Sequence, residues 1–290
     1  MDQDERTSNP ESLLPPGCLN CGAPLGGHFC ASCGQRHETH PPTVGHLLGE
    51  VAETLTHADS RLWRTIRLLI SKPGLLTVEF LAGRRERYLP PIRLYFILSF
   101  FFFLLLAFES EKNVTGGNAE FSGVVEKCQQ LNYSGPFREK AEPRLRDACV
   151  RTVQDLQQGG ERLSQSLLQG LPKAMFMLLP LFAALMSLFY WRPRRLYAEH
   201  LLFLVHNHSA AFLGMTIVNL LDRVIPASYG GYLIMLLLGW LVWYCYRGLR
   251  VFHGQSRWRT LAKLLPMLLL YTILAVMILT LTGIASALSI

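Results

Sequence analysis

Cys18-Leu-Asn-Cys21-Gly22 and Cys30-Ala-Ser-Cys33-Gly34 place four thiols in two Cys-x2-Cys knuckles, with eight residues between them. Four soft ligands so spaced suit Zn²⁺, which takes thiolates tetrahedrally. A glycine follows the second cysteine of each knuckle, and glycine allows the backbone conformations that turn amides toward sulfur. Eight residues suffice for a short hairpin bringing the knuckles face to face. Four thiolates fill the coordination sphere, leaving no position for water or substrate, so Cys18, Cys21, Cys30 and Cys33 read as a structural zinc site. A segment this short buries little core, so its folding is coupled to the metal. The competing chemistry for a single Cys-x2-Cys is redox, which a second copy so close disfavours. His28 reads as a surface residue of the hairpin.

A second group of chemically capable side chains lies inside an apolar run: Glu199, His200, His206, Asn207 and His208. Ionisable residues within a membrane span are expensive and mark function. At about 100° per residue, Glu199 and His206 stand nearly in line, with His200 and Asn207 beside them and His208 roughly opposite Glu199. These five are the candidates for a catalytic role. Proton relay, metal ligation and hydrogen bonding to a lipid or quinone headgroup all fit their types. Plain interhelical hydrogen bonding, with Glu199 interfacial, is the alternative. No other span offers an obvious His, Asp or Glu. No phosphate-cradling glycine loop, serine elbow or carboxylate pair is visible. Cys128 and Cys149 are alone in a loop expected outside the cell, where an oxidising compartment lets them pair, two unpaired thiols being the alternative. Closing that loop would contribute about 3 kcal/mol in the chain-entropy model. Cys245 reads as packing.

The elements that carry these groups follow from hydropathy. Half the 290 residues are hydrophobic and 17% are charged, and the apolar residues come in blocks rather than at amphipathic spacing. Spans are expected at 92–108, 174–191, 201–221, 232–246 and 264–288, with Tyr88, Tyr95, Trp243 and Tyr244 as interfacial anchors. The start lacks a signal peptide, so the first span serves as an uncleaved insertion signal. The fold class is mainly α: a polytopic membrane bundle of about five spans with a small N-terminal zinc ribbon. Residues 1–17 form a disordered tail and 18–38 the ribbon. Residues 43–91 form amphipathic basic juxtamembrane helices, and 109–173 an external loop, partly helical. In the juxtamembrane part, Thr43 caps a helix carrying Val44, Leu47, Leu48, Val51 and Leu55. A second begins at Asp59 or Ser60 and stops at Lys72-Pro-Gly74, and a third runs from Leu75 to Leu81. With Trp63 among their arginines they read as surface-lying segments, or as a helical hairpin that merely carries the head.

Charge sets the orientation. Basic residues flank the spans at Arg84, Arg85 and Arg87, at Trp191-Arg-Pro-Arg-Arg195, and at Arg247, Arg250, Arg257, Arg259 and Lys263, while the other loops are balanced. Positive loops stay in the cytosol, which puts the N-terminus inside and the C-terminus outside. The net charge of +7 is concentrated just before the first span. Anionic lipid headgroups are therefore the nearer partner, through Arg84, Arg85, Arg87 and Arg93, at about 1 kcal/mol per charge. Nucleic acid is disfavoured. The head has only Arg36 beside it, so it is expected to dock onto protein, either its own membrane domain or a cytosolic partner.

Cys18 to Gln35, Asp59-Ser-Arg61, Arg64-Thr65, Lys72-Pro-Gly74, Gly83-Arg-Arg-Glu-Arg-Tyr88 and Pro91 together resemble a bacterial family of membrane proteins of unknown function. Its members have a zinc-ribbon-like, four-cysteine start followed by membrane helices. Tyr197-Ala-Glu-His-Leu-Leu-Phe203 with His206 and His208 is similar to the same family, so the resemblance covers residues 18–108 and 190–215. It implies a bacterial inner membrane and carries no established activity. The leading expectation is a non-enzymatic membrane protein whose head docks or regulates while the bundle contacts lipid. The alternative is a transporter or enzyme acting on a membrane-dissolved or lipid substrate at Glu199–His208, with the four arginines steering an anionic headgroup. A membrane-tethered transcription regulator is disfavoured, because the head lacks a basic recognition helix.

Overall fold

A computed structural model describes residues 17–26, 28–36, 60–110, 122–135, 137–158, 160–190 and 195–289. The expected N-terminal tail through residue 16, the helix expected from Thr43, and the basic loop 191–194 lie outside the described residues. So does the stretch 111–121 of the external loop.

The described residues form α1 (Ser60–Ser71), α2 (Leu75–Leu81), α3 (Pro91–Ser110), α4 (Ser122–Gln129), α5 (Arg138–Gln157), α6 (Glu161–Phe189), α7 (Tyr197–Asp222), α8 (Gly230–His253) and α9 (Arg257–Ser289). Five of them, α3 and α6 to α9, are long and apolar enough to cross a membrane. Three reach well beyond their apolar blocks. α6 starts at Glu161 because Gly160, at φ 74°, breaks the chain there, and it continues through Pro172 and Pro180 to Phe189. The carboxylate of Asp155 accepts the amides of Arg162 (3.3 Å) and Leu163 (2.9 Å), capping the new helix across the break. α8 continues past residue 246 to His253, where Gly254 ends it at φ 62°. α9, at 33 residues, is about 50 Å long against a hydrocarbon core of about 30 Å. It packs beside α5 and α6, with Thr282 against Gly170 of α6 at the end of the bundle where α3 finishes. There Cys128 of α4 and Cys149 of α5 are joined by a disulfide, Cα to Cα 5.6 Å.

The core lies where α7 meets α3, α6 and α8. Phe212 of α7 meets Tyr95 and Phe102 of α3 at ring separations of 5.5 and 5.4 Å. Phe100, Phe101 and Phe108 face outward, as lipid-facing residues of an all-apolar helix do.

The short helices before the first span do not lie on the surface throughout. α1 turns Trp63 outward, 74% exposed, together with Arg64 and Arg67. α2, in contrast, buries Leu76 and Thr77 against α7 and α8. The hairpin therefore carries an interfacial face and also inserts into the bundle.

Candidate functional site

Each knuckle of the head closes on itself rather than forming one shared hairpin. The Cys18 amide donates to the Ala23 carbonyl (2.8 Å) and the Gly22 amide to the Cys18 carbonyl (2.7 Å). Cys30 and Gly34 repeat this with Gln35 and Cys30 (2.9 and 2.8 Å). Antiparallel bridges Gly17–Pro24 and Phe29–Arg36 close the two loops. Gly22 and Gly34 have φ of 78° and 72°, the left-handed region that glycine enters freely. The amides of Ala23 and Gln35 are thereby directed at the sulfurs of Cys21 and Cys33.

The four sulfurs all lie within 4.8 Å of one another, with Cys18–Cys33 and Cys21–Cys30 each at 3.6 Å. A tetrahedron with metal–sulfur bonds of about 2.3 Å separates its sulfurs by about 3.8 Å. The set therefore has the size and donor type to hold a metal ion. The Asn20 side chain, hydrogen-bonded to the Cys33 sulfur, holds that thiol down to about 6 from the ordinary 9.0.

The head sits on the chain's own membrane domain. The Gln35 side-chain amide donates to the Gly83 carbonyl at 2.8 Å. Leu19 covers Gly83 so closely that a Cβ there would stand 2.7 Å from its Cδ1, and Gly83 itself has φ 83°. Below this contact, the α1–α2 hairpin is keyed into the bundle at three points. Tyr244 of α8 donates to the Leu69 carbonyl at the end of α1 (2.8 Å). Gly74, at φ 79°, brings its backbone against Gly248 of α8, where a Cβ would meet the Gly248 carbonyl at 2.6 Å. Thr77 Oγ1 meets Nδ1 of His206 at 2.9 Å. At the other end, Thr65 takes the Leu89 amide (2.9 Å) and ties α1 to the chain entering α3.

The arginines expected to gather headgroups are mostly engaged by protein. Arg84 makes two hydrogen bonds to Glu79, at 2.5 and 2.6 Å, which holds the Glu79 carboxyl below its ordinary value. Arg85 lies over the Phe80 ring at 5.0 Å. Arg93 is buried at 8% exposure. Arg87 is the exposed member of the four.

Nor do the five polar residues of α7 form one site. Glu199 accepts the Leu196 amide (3.0 Å) and faces Arg195 (3.7 Å), so it caps the helix. His206 is taken by Thr77. Asn207 donates to the Phe203 carbonyl one turn back (2.9 Å). His208 meets the Leu204 carbonyl and the hydroxyl of Tyr271 on α9, each at 2.9 Å. His200 instead stands beside His253 of α8, ring centres 5.5 Å apart, and Tyr190 stacks on His253 at 3.5 Å. His253 was invisible to an apolar block ending at 246. Its signal was local: a histidine one turn beyond Leu249, just before the helix-ending Gly254.

α6 to α9 border a partly open cavity of about 420 Å³, lined by Phe182, Phe203, Asn207, His208, Leu249 and Tyr271 among mostly apolar side chains.

Five apolar helices, with a metal-competent four-cysteine head seated on the loop before the first, define the class: a multi-pass helical membrane protein. Residues 59–103, which carry Thr65, Gly74, Thr77 and Gly83, match a family model described as "Protein of unknown function (DUF3667)". No curated protein and no solved structure matches the chain.

Proposed function

We propose that the four cysteines hold structural Zn²⁺ and that the ribbon is a cytosolic regulatory head, docked onto its own bundle in a bacterial inner membrane. The N-terminus is cytosolic and the C-terminus periplasmic. Trp63, Arg64, Arg67 and Arg87 meet the anionic lipid surface. The chain is not an enzyme in this reading. It presents or withholds the head to a cytosolic protein partner, which would compete with Gly83 for Leu19 and Gln35.

The observation that carries this is the Gln35–Gly83 contact. It puts the head at the root of a hairpin whose other end holds His206 inside the third span. A change in the head's metal state therefore has a physical path to the bundle. Elemental analysis of the purified protein is expected to find one zinc per chain, lost in Cys18→Ser. Hydrogen exchange is expected to rise at residues 60–90 in that variant while α9 is unchanged. A metal-free native protein, or a hairpin indifferent to Cys18→Ser, would defeat the proposal.

A further inference from the structure

Tyr190, His200 and His253 are 1%, 0% and 6% exposed. The Tyr190 hydroxyl and both ring nitrogens of both histidines are buried without a hydrogen-bond partner among the described residues. Buried polar atoms are almost always paired, so five unpaired atoms in one patch point to something that pairs them. The patch lies beyond one end of the cavity. Met186, Phe203, Leu249 and Leu264 line that cavity, and within one turn of them stand Tyr190, His200, His253 and Lys263. The stacked rings of Phe203 and Phe252, 4.8 Å apart, join the two regions. Phe203 faces the cavity, and Phe252 abuts His253 at 4.6 Å and His200 at 6.0 Å.

The charges around the patch are positive. Lys263 Nζ lies 4.1 Å from the Tyr190 ring centre, and Arg195 lies 4.3 Å from that of Phe252. The nearby carboxylate, Glu199, is turned to Arg195 and the helix end. Neutral imidazoles and a phenol each offer one donor, and flanking cations disfavour a metal ion. An anionic oxygen group accepts from three of the five atoms, the phenol and one N–H of each imidazole.

We infer that the bundle binds one amphiphile, its hydrocarbon chain in the cavity and its anionic oxygen headgroup at Tyr190, His200 and His253. Carboxylate and phosphate share this chemistry. The cavity volume falls within the usual range for small-molecule sites, about 300–1,000 Å³. A crevice between α8 and α9, lined by Trp243, Arg257 and Trp258, is divided from the cavity by Val242 and Leu264, which border both. These two side chains are the wall an entering chain displaces. The amphiphile site goes beyond the docked head and stands whether or not the head holds metal.

Three photoreactive probes test it on the full-length protein in detergent: diazirine-bearing palmitate, hexadecyl phosphate and hexadecanol. At least one anionic probe is expected to label cavity-lining peptides of α8 and α9 well above the alcohol, and the stronger arm identifies the headgroup. His200→Ala and His253→Gln should each cut that labelling about tenfold, the loss for one charge-assisted hydrogen bond, and leave labelling by the alcohol unchanged. Ala211→Phe, which fills the cavity, should abolish labelling by all three. Each variant is read only as a monodisperse preparation. Native mass spectrometry of the untreated protein should show one retained amphiphile of the same headgroup class. Equal labelling by the alcohol and the acids, labelling unaffected by Ala211→Phe, or a native protein carrying no amphiphile overturns the inference.

Discussion

Thr77 and His206 are both buried, and their 2.9 Å hydrogen bond is a polar link between the juxtamembrane hairpin and the third span. Thr77→Val keeps the shape and removes the hydroxyl, leaving His206 with neither ring nitrogen paired, since its Nε2 already lacks a partner. The cost should be about 1 kcal/mol, typical of hydrogen bonds between membrane helices. A lower thermal midpoint in detergent is the expected result, with Thr77→Ser near the native value. The Glu79–Arg84 pair makes a pH prediction. Its hydrogen bond from Arg84 lowers the folded pKa of Glu79 below the ordinary 4.5. The stabilisation is therefore present above that value and disappears as pH falls through the lower folded one. Glu79→Gln should thus melt earlier than the native protein at pH 7, and the gap should close on acidification below about 4.5. Side chains whose role is set by close neighbours in the chain were legible: the two knuckles are complete within sixteen residues, Cys18 to Cys33. Glu199 was left open between a polar line and an interfacial place, because helical phase alone does not register that a first-turn carboxylate can turn back to the helix end. The pairing of His200 with His253 depends on tertiary packing between α7 and α8, which no spacing in the sequence encodes.

At the scale of elements, the hairpin α1–α2 is the unexpected part. Its boundaries were readable, because Lys72-Pro-Gly74 stops one helix and Gly83 follows the next. Its insertion was not. An arginine-rich helix with an exposed tryptophan reads as interfacial, and α1 satisfies that reading while α2 does not. The key is Gly74, a residue that looks like a mere stop signal. It combines a left-handed φ of 79° with a backbone approach to Gly248 that leaves no space for a methyl group. Gly74→Ala should therefore strain the turn and push α2 away from α8. Faster hydrogen exchange over residues 60–90 is expected, with exchange in α3 and α9 unaltered. Protection equal to that of the native hairpin would show that the close approach is not needed. The lengths of α6 and α9 were also underread, since apolar blocks mark where lipid lies and say little about where a helix continues into water.

At the scale of the whole molecule, five helices able to span among the described residues put the chain before α3 and the end of α9 in different compartments. The structure segregates its chemistry accordingly. The four metal-competent thiols sit before α3, where a reducing cytosol would keep them as thiolates, and the Cys128–Cys149 disulfide sits after it. The arginines and Lys263 around the Tyr190 patch share the end that carries the head. Two single replacements check this arrangement. Val224→Cys lies in the loop between α7 and α8, where Val224 is 83% exposed. Ser256→Cys lies in the turn between α8 and α9, also exposed. With labelling read site by site by peptide mass spectrometry, a membrane-impermeant maleimide should modify position 224 in intact cells. Position 256 should react only after the membrane is opened. The head cysteines should behave like position 256 and react further once a chelator has removed their metal. Labelling at position 256 in intact cells, with 224 protected, would invert the molecule and move the head to the oxidising side, where four free thiolates do not persist.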